Sequence, residues 1–218
     1  MCFVTGCLIA TPGGPRTVEA IRPGDLVTTM SGRAEPVLWV GTSRISWAEQ
    51  MGNPRKRPIR IGKDALGPGM PSRAVLISPQ HRVLVRSPQV SRLAGQHEAL
   101  VPALALTGLP GVRMMPSLPG LDYVHVACAR HVLLVAEGAG VESILPEPLA
   151  IQELGAEQRI ELAETLGWTE FSMKDMARAL PVLSMRKAEK LVERSMRCRM
   201  PLVVPSRVSE GDAQQASG

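Results

Sequence analysis

Hydrophobic residues in the first two thirds of the chain come in short runs, and turn-forming residues separate these runs from one another. The run at 8–11 ends in Pro12-Gly13-Gly14, and the run at 18–21 leads into Pro23-Gly24. Short apolar runs between Gly- and Pro-containing turns are typical of strands. The predicted strands are 8–11, 18–21, 26–29, 36–41, 58–61, 74–77, 82–85 and a final pair, 123–126 with 132–135. The pattern predicts one compact all-β domain over residues 2–146.

Beyond this domain the hydrophobic spacing becomes helical, with Ile160, Leu162, Ala163 and Leu166 at helical intervals. The predicted helices are 157–166, 173–180 after the N-cap residue Ser172, and 185–198 after the N-cap residue Ser184. We therefore expect a small helical extension over residues 147–200. Ser, Glu, Gly, Asp, Gln and Ala dominate the end of the sequence, which predicts a flexible, disordered tail over residues 201–218.

The composition limits the class of protein and its partners. Hydrophobic residues make up 44% of the chain but aromatic residues only 3%, so the core must be built from aliphatic side chains. The longest apolar runs are too short to cross a bilayer, and the N-terminus has no secretory signal pattern. We therefore expect no membrane partner and take the cytoplasm as the default location.

The net charge of +5 arises from 25 basic and 20 acidic residues that are spread along the sequence. This balance predicts a solvated basic surface rather than a nucleic-acid-binding face. The tight basic cluster Arg55-Lys56-Arg57 lies between two prolines, and we interpret it as an exposed loop.

Four cysteines are present, and none forms a Cys-x-x-Cys pair. This spacing argues against a zinc knuckle or a thioredoxin-type site, so no metal and no cofactor are predicted. Without an export signal the thiols are expected to be reduced. Cys128 is expected to be a small apolar core residue, and Cys7 a candidate for a disulfide or for acyl transfer from Cys2.

Two separate segments carry the candidate chemistry. Cys2 lies at the head of the β domain, and the apolar run at 74–77 leads into Ser78-Pro79-Gln80-His81. A thiol in this position can attack the carbonyl of the preceding residue, while a hydroxyl and an imidazole polarise that carbonyl and protonate the departing nitrogen. The pair therefore predicts rearrangement of the peptide bond before Cys2.

The residues also resemble a known family. The matching segments are Cys2-Phe3-x-x-Gly6-x-x-Ile9-x-Thr11, then Val18-Glu19-x-Ile21-x-Pro23-Gly24-Asp25-x-Val27, then Trp39-Val40-Gly41. Together they resemble the opening of a Hint domain, the self-processing module shared by hedgehog proteins and inteins. Residues 78–84 are similar to a bacterial subgroup in which Ser-Pro-Gln-His is followed by Arg-Val-Leu. The similarity extends over about residues 2–195.

This resemblance implies an all-β horseshoe of two pseudo-symmetric halves and a set of site residues. Cys2 would be the nucleophile, and Ser78 and His81 would activate the scissile carbonyl and nitrogen. His131 or His125 would be a secondary acid or base. These two histidines lie six residues apart, and on one extended strand they would share a face. The implied partner is an upstream polypeptide that is cleaved from Cys2.

Two departures from the family pattern narrow the expected reaction. Inteins end in an Asn that cyclises, but the matching segment here is Gly140-Val141-Glu142-Ser143, so complete splicing is not expected. Only Met1 precedes Cys2 in this sequence. Three explanations remain open: the domain is already separated from its partner, the gene start is misplaced, or the domain no longer processes itself.

Other classes of function remain as alternatives. Residues 162–180 faintly resemble a helix-turn-helix, and the helix that follows is rich in Arg and Lys, as in some nucleic-acid-binding proteins. Cys2 and His81 could also serve a hydrolase that acts on other molecules, but no orienting Asp or Asn can be assigned. A fold that survives as an inactive interaction module is the third alternative.

Overall fold

The structure is a computed structural model, and it describes residues 1–145, 147, 151, 154–167 and 177–204 of the 218-residue chain. The described residues 177–180 of the helix predicted over 173–180 are not helical, whereas residues 173–176 and the cap Ser172 lie outside the described residues. The part of the predicted tail after residue 204 also lies outside them.

Short strands dominate the described part of the chain, where they form two antiparallel sheets. The strands are β1 Phe3–Val4, β2 Leu8–Ile9, β3 Arg16–Thr17, β4 Leu26–Thr28, β5 Ala34–Ser46, β6 Ile59–Ile61, β7 Val75–Ile77, β8 Arg82–Arg86, β9 Glu98–Pro102, β10 Val112–Met114, β11 Gly120–Cys128, β12 Leu133–Ala136 and β13 Ala139–Glu142. One sheet has the order β10-β6-β7-β1-β11-β5-β4, and the other has the order β3-β2-β12-β13-β8-β9. The predicted all-β class is confirmed.

The longest strand pair, β5 with β11, organises the first sheet. Gly120 to Cys128 pair in antiparallel register with Ser46 to Val37, with an irregularity next to Cys128. Along β5, buried and exposed positions alternate, so that Val37 and Trp39 face the interior. This period of two is the ordinary consequence of a pleated strand with one face on the core.

The predicted pairing of 123–126 with 132–135 is wrong. β11 pairs with β1 and β5, whereas β12 pairs with β13 and β2 in the other sheet. The partner of β12 is set by the two-residue turn Glu137-Gly138, in which both residues have positive φ, as in type I′ hairpins. A hydrophobic run predicts a strand, but it does not predict a distant partner.

The predicted strand over 18–21 is also different in the structure. Val18–Ala20 forms a 3₁₀ turn, closed by the hydrogen bond from the Ile21 N–H to the Val18 carbonyl. The Glu19 carboxylate accepts a hydrogen bond from the Gly6 N–H at 2.8 Å, which ties this turn to the loop after β1. Tertiary contacts here outweigh the strand propensity of Val and Ile.

Four α-helices lie in the described segments: α1 Trp47–Gly52, α2 Pro88–Ala94, α3 Ala156–Thr165 and α4 Met185–Cys198. The N-cap role of Ser184 is confirmed, because its side chain accepts a hydrogen bond from the Lys187 N–H. α3 occupies the predicted position, and Leu162 is fully buried. Ile160 on the same helix is 60% exposed, so it does not belong to the predicted apolar face.

The helical extension is packed into the main core rather than appended to it. Leu183 and Leu191 belong to the same cluster of buried residues as β1, β7 and β8. The Leu183 N–H donates to the Leu100 carbonyl, which fixes the segment before α4 against β9. The extension and the β domain therefore share one hydrophobic interior.

The segment after α4 is packed as well. Leu202 and Val203 are buried, and the Val203 N–H donates to the Leu66 carbonyl at 2.8 Å. Residues 201–204 therefore belong to the folded structure and not to the flexible tail predicted from residue 201. Among the described residues, no helix combines the length and apolar character that a membrane span requires.

Candidate functional site

Strand register brings Cys2 together with Ser78 and His125. Cys2 directly precedes β1, which lies between β7 and β11. Phe3 pairs with Ile77 at the end of β7 and with Val124 on β11, both in antiparallel register. The residue before Phe3 is therefore opposite the residues after Ile77 and Val124. Three segments that are far apart in the sequence meet at one point.

Ser78 forms hydrogen bonds with both the N–H and the carbonyl of Cys2. The Cys2 N–H donates to Ser78 Oγ at 3.2 Å, and the Ser78 N–H donates to the Cys2 carbonyl at 2.9 Å. Ser78 is buried, so water cannot readily replace these contacts. The hydroxyl of Ser78 is therefore within reach of the nitrogen of the Met1–Cys2 peptide bond.

His81 lies beside Cys2 but contacts its carbonyl oxygen. Nδ1 of His81 is 2.9 Å from the Cys2 carbonyl, and Nε2 is 2.8 Å from the Glu142 carbonyl. Both partners only accept hydrogen bonds, and a neutral imidazole can donate to one of them at a time. Burial lowers the pKa of His81, opposed mainly by the negative charge of Glu142. The Phe3 ring packs edge-on against the imidazole, with centroids 4.6 Å apart.

His125 contacts the sulfur. Its Nε2 is 3.5 Å from Cys2 Sγ and 3.3 Å from Ser43 Oγ. Burial, assisted by the positive charge of the chain's amino terminus, lowers the pKa of His125 to about 3. Its Nδ1 is buried and has no hydrogen-bond partner within the described ranges. His125 is therefore a neutral imidazole, and when the proton is on Nδ1 its Nε2 can accept the proton of the Cys2 thiol.

His131 does not share a strand face with His125. It lies in the loop before β12, where its Nε2 is 3.1 Å from the Glu142 carboxylate. Its Nδ1 accepts a hydrogen bond from the Ala179 N–H at 3.0 Å, so in the neutral ring the proton lies on Nε2. The prediction from strand spacing is wrong, because the chain leaves β11 at Cys128 and enters another sheet.

Glu142 links His131 to His81, and sequence reasoning did not identify it as part of the site. Its side chain is fully buried and accepts hydrogen bonds from the Arg82 N–H at 2.9 Å and from His131. Its backbone carbonyl contacts His81 Nε2. A carboxylate in the buried strand run Val141-Glu142-Ser143 was the available signal, because a buried charge requires partners.

A pocket of about 380 Å³ opens next to Cys2. Its walls include Ser43, Tyr123, Arg55 and Lys56. Pro54–Lys56 forms a 3₁₀ turn in which Arg55 is exposed, as predicted, whereas Lys56 and Arg57 are half-buried. Ser43 was not predicted, since nothing in its local sequence distinguishes it from other strand serines.

The remaining cysteines are separate from the site. All four have free thiols, so Cys2 and Cys7 are not joined by a disulfide. Burial raises the pKa of Cys7 far above its ordinary value and raises that of Cys128 to about 12, which keeps both thiols protonated. Within the described ranges, no three His, Cys, Asp or Glu side chains cluster as a set of metal ligands.

Comparisons with known proteins agree with the sequence resemblance. A family model described as Hint domain matches residues 1–148. Among solved structures, a bacterial intein-like domain from Clostridium thermocellum is 13% identical, with a TM-score of 0.45 and coverage of 66% of this chain and 98% of that chain. The MchDnaB-1 intein is 13% identical, with a TM-score of 0.39 and coverage of 65% and 99%. The gp41-1 intein is 13% identical, with a TM-score of 0.38 and coverage of 64% and 96%. No curated protein sequence matches the chain.

Proposed function

The chain belongs to the Hint domain family, and we propose that it performs an N–S acyl shift at the peptide bond between Met1 and Cys2, followed by cleavage and without splicing. The observation that supports this proposal is that both reacting atoms of Cys2 contact a polar side chain. The sulfur of Cys2 is 3.5 Å from a neutral imidazole, and the nitrogen of Cys2 is 3.2 Å from a serine hydroxyl. These are the two atoms of Cys2 that change bonds in such a shift.

In the proposed first step, the Cys2 thiol gives its proton to Nε2 of His125, and the sulfur attacks the carbonyl carbon of Met1. A carbon–sulfur bond forms, and the carbonyl electrons move onto the oxygen. When the carbonyl re-forms, the bond from the Met1 carbonyl carbon to the Cys2 nitrogen breaks. That nitrogen takes up one proton from Ser78 Oγ, which regains a proton from solvent in the pocket, and His125 releases the thiol's proton to the same solvent, so no net proton is gained or lost. The product is a thioester on Cys2, whose nitrogen is now a free amine.

In the proposed second step, water or an added thiol attacks the thioester carbonyl. The carbon–sulfur bond breaks, and the sulfur recovers a proton. The upstream segment leaves as a carboxylic acid or as a new thioester. His81 supports both steps by holding the Cys2 carbonyl, which limits the motion of the residue during the shift.

The proposed reaction ends at this cleavage because the chain lacks the group that completes splicing. Asn53 is the single asparagine in the sequence, and it caps the 3₁₀ turn after α1 through Oδ1. The segment at the end of β13 is Glu142-Ser143-Ile144. The resemblance to inteins implies an asparagine at the end of this segment, and none is present there, so the cyclisation that completes splicing has no side chain to perform it.

The direct test is a fusion of a small folded protein to the N-terminus of the full chain, before Met1. Incubation with dithiothreitol at neutral pH should release the upstream protein, and Cys2→Ala should prevent release. Cys198→Ala is the matched control, because that thiol is exposed on α4. An intact parent fusion after incubation, or release from the Cys2→Ala variant, would reject the proposal. The first outcome would leave a Hint fold retained without chemistry.

A further inference from the structure

The side chain of Met1 is buried in a small apolar cluster of its own. Met1 is only 5% exposed, although it is the residue at the chain's end in this sequence. The other members of this cluster, which is separate from the main core, are Trp39, Ala127, Ile144, Leu145, Leu154 and Leu162, with Leu166 at its edge. In the proposed reaction, Met1 supplies the acyl group that moves to Cys2.

The walls of this cluster come from both halves of the chain. Trp39 lies on β5 and Ala127 on β11. Ile144 is fixed by the hydrogen bond from its N–H to the Val126 carbonyl at 2.8 Å. Leu162 lies on α3 of the helical extension and is fully buried. The extension therefore completes an enclosure that the β domain alone leaves open.

Trp39 provides an apolar wall close to the reacting groups. A Cβ atom on Gly41 would lie 2.1 Å from the Trp39 ring, so the absence of a side chain there allows the indole to lie along β5. The ring centroid is 6.4 Å from that of His125. The indole nitrogen is buried, and it has no hydrogen-bond partner in the part of the chain that the structure describes. This wall offers the acyl residue hydrophobic contact and no acceptor for a hydrogen bond.

Polar contacts attach α3 to the same strand that carries Trp39. The Gln158 side chain donates to the Thr42 carbonyl at 2.8 Å and accepts from Ser43 Oγ at 3.3 Å. Ser43 Oγ also contacts Nε2 of His125. The helix that closes the cluster is thus connected to the imidazole beside the Cys2 sulfur.

We propose that this cluster is a specificity pocket for the residue preceding Cys2, and that Leu162 on the helical extension determines which side chain fits. The pocket accepts an unbranched or γ-branched apolar residue such as Met or Leu, and it rejects charged residues. The effect of the pocket on the reaction rate rests on the proposed acyl shift. The occupied pocket itself is a feature of the fold.

The pocket selects apolar residues because the free energy of burial differs between apolar and charged side chains. An apolar side chain gains free energy on leaving water, and a charged side chain without a partner loses it. The acyl carbon can be held against Cys2 only when its own side chain is seated. When the side chain that fills such a pocket loses methylene groups, the reaction rate typically falls about 10-fold or more.

The first experiment varies residue 1 in the upstream fusion of the full chain and measures the rate of thiol-induced release. Met and Leu should react at similar rates, Ala should react about 10-fold more slowly, and Glu or Lys slower still. Equal rates for all five residues would overturn the pocket while leaving the acyl shift intact. If the fusion with Met at residue 1 is not cleaved, the acyl shift is rejected. The pocket is then tested by the second experiment alone.

The second experiment measures how well residue 1 fits the pocket when no reaction can occur. It uses the upstream fusion of the full chain with Cys2→Ala and records the melting temperature of the chain. Met1→Glu should lower the melting temperature, and Met1→Leu should not. Met196→Glu on α4 is the matched control because Met196 is 45% exposed. Equal melting temperatures for Met and Glu at residue 1 would contradict the proposal, whether or not the parent fusion is cleaved.

A third comparison tests Leu162 directly through the residue that the pocket prefers. Leu162→Ala enlarges the enclosure, so the release rate with Phe at residue 1 should rise relative to the rate with Met. Ile160→Ala changes an exposed residue on the same helix and should leave this ratio unchanged. A purely structural role for Leu162 would slow both fusions equally, and that result would overturn its assignment.

Discussion

The sulfur of Cys2 lies 3.5 Å from Nε2 of His125, although 123 positions separate the two residues in the sequence. The contact arises from the register of β1 with β11, in which Phe3 pairs with Val124. His125 is also buried, and Ser43 Oγ lies 3.3 Å from the same nitrogen, Nε2, that faces the thiol. The imidazole that contacts the Cys2 sulfur therefore lies on a central strand of a sheet rather than in a loop.

His125→Gln should slow thiol-induced release from the upstream fusion by about 100-fold or more, because general base catalysis typically contributes that much. The measurement is the rate constant of release at pH 7.5. His97→Ala is the matched control, since His97 is exposed and its Nδ1 forms a hydrogen bond with Ser91 Oγ, far from Cys2 in the sequence. A His125→Gln rate equal to that of the His97→Ala protein would rule out His125 as the base.

Ser78→Ala should reduce both activity and stability. It removes the hydrogen bond from the Cys2 N–H to the Ser78 hydroxyl, and the loss of a buried hydrogen bond typically costs about 0.5–1.5 kcal/mol. Urea unfolding gives the stability change, and the fusion assay gives the rate. Ser78→Thr keeps the hydroxyl and should recover most of the activity. If the Thr and Ala variants are equally slow, the hydroxyl has no part in the reaction.

The stability of the protein should fall as the pH is lowered from 7 toward 4. Burial holds the pKa of His125 at about 3 and lowers that of His81, against an ordinary value of 6.5. Below pH 6.5 the unfolded chain binds protons that the folded chain does not. Each histidine then decreases the free energy of unfolding by about 1.4 kcal/mol per pH unit until the pH reaches its folded pKa.

Urea unfolding between pH 7 and pH 5 measures this slope. His125→Gln removes one of the two groups, so its slope should be smaller than that of the parent protein. His97→Ala should have the parent slope. A free energy of unfolding that is constant over this range would show that the two imidazoles are not buried in their neutral form.

Glu142→Gln should destabilise the protein by about 1–3 kcal/mol, because it removes a buried charge that accepts hydrogen bonds from Arg82 and His131, while Arg82 keeps its ion pair with Glu147. It should also lower the pKa of His81, since the Glu142 charge favours its protonated form. Urea unfolding measures the first effect, and a nuclear magnetic resonance titration of the imidazole measures the second. Glu49→Gln removes an exposed ion pair with Lys56 and is the comparison. A Glu142 variant as stable as the Glu49 variant would refute the structural role.

Local patterns in the sequence predicted those parts of the fold that depend on neighbouring residues. The strand at β8 and the Ser184 cap of α4 follow from hydrophobic spacing and capping preference, which act over a few residues. The pairing of β12 and the exposure of Ile160 could not be predicted in this way. Both depend on which distant surface each segment meets, and hydrophobic spacing does not encode that.

Sequence motifs predicted one part of the candidate site. Cys2, Ser78 and His81 stand out in the sequence, and they lie together in the structure. The roles of the two later histidines could not be separated, because their contacts depend on strand register and on the crossing between sheets. Glu142 and Ser43 were missed because a single polar residue in a strand has no local signature of its partners.

Intact mass spectrometry of the released segment is the sharpest test of whether an acyl group moves from the Cys2 nitrogen to the Cys2 sulfur. The upstream fusion should be incubated with 2-mercaptoethanesulfonate, and the mass of the released upstream segment should be measured. The expected product is a segment that ends at Met1 and carries one molecule of the thiol as a thioester, and the Cys2→Ala protein should not release it. Release of a segment with a plain carboxylate at another residue, or no release at all, would contradict it.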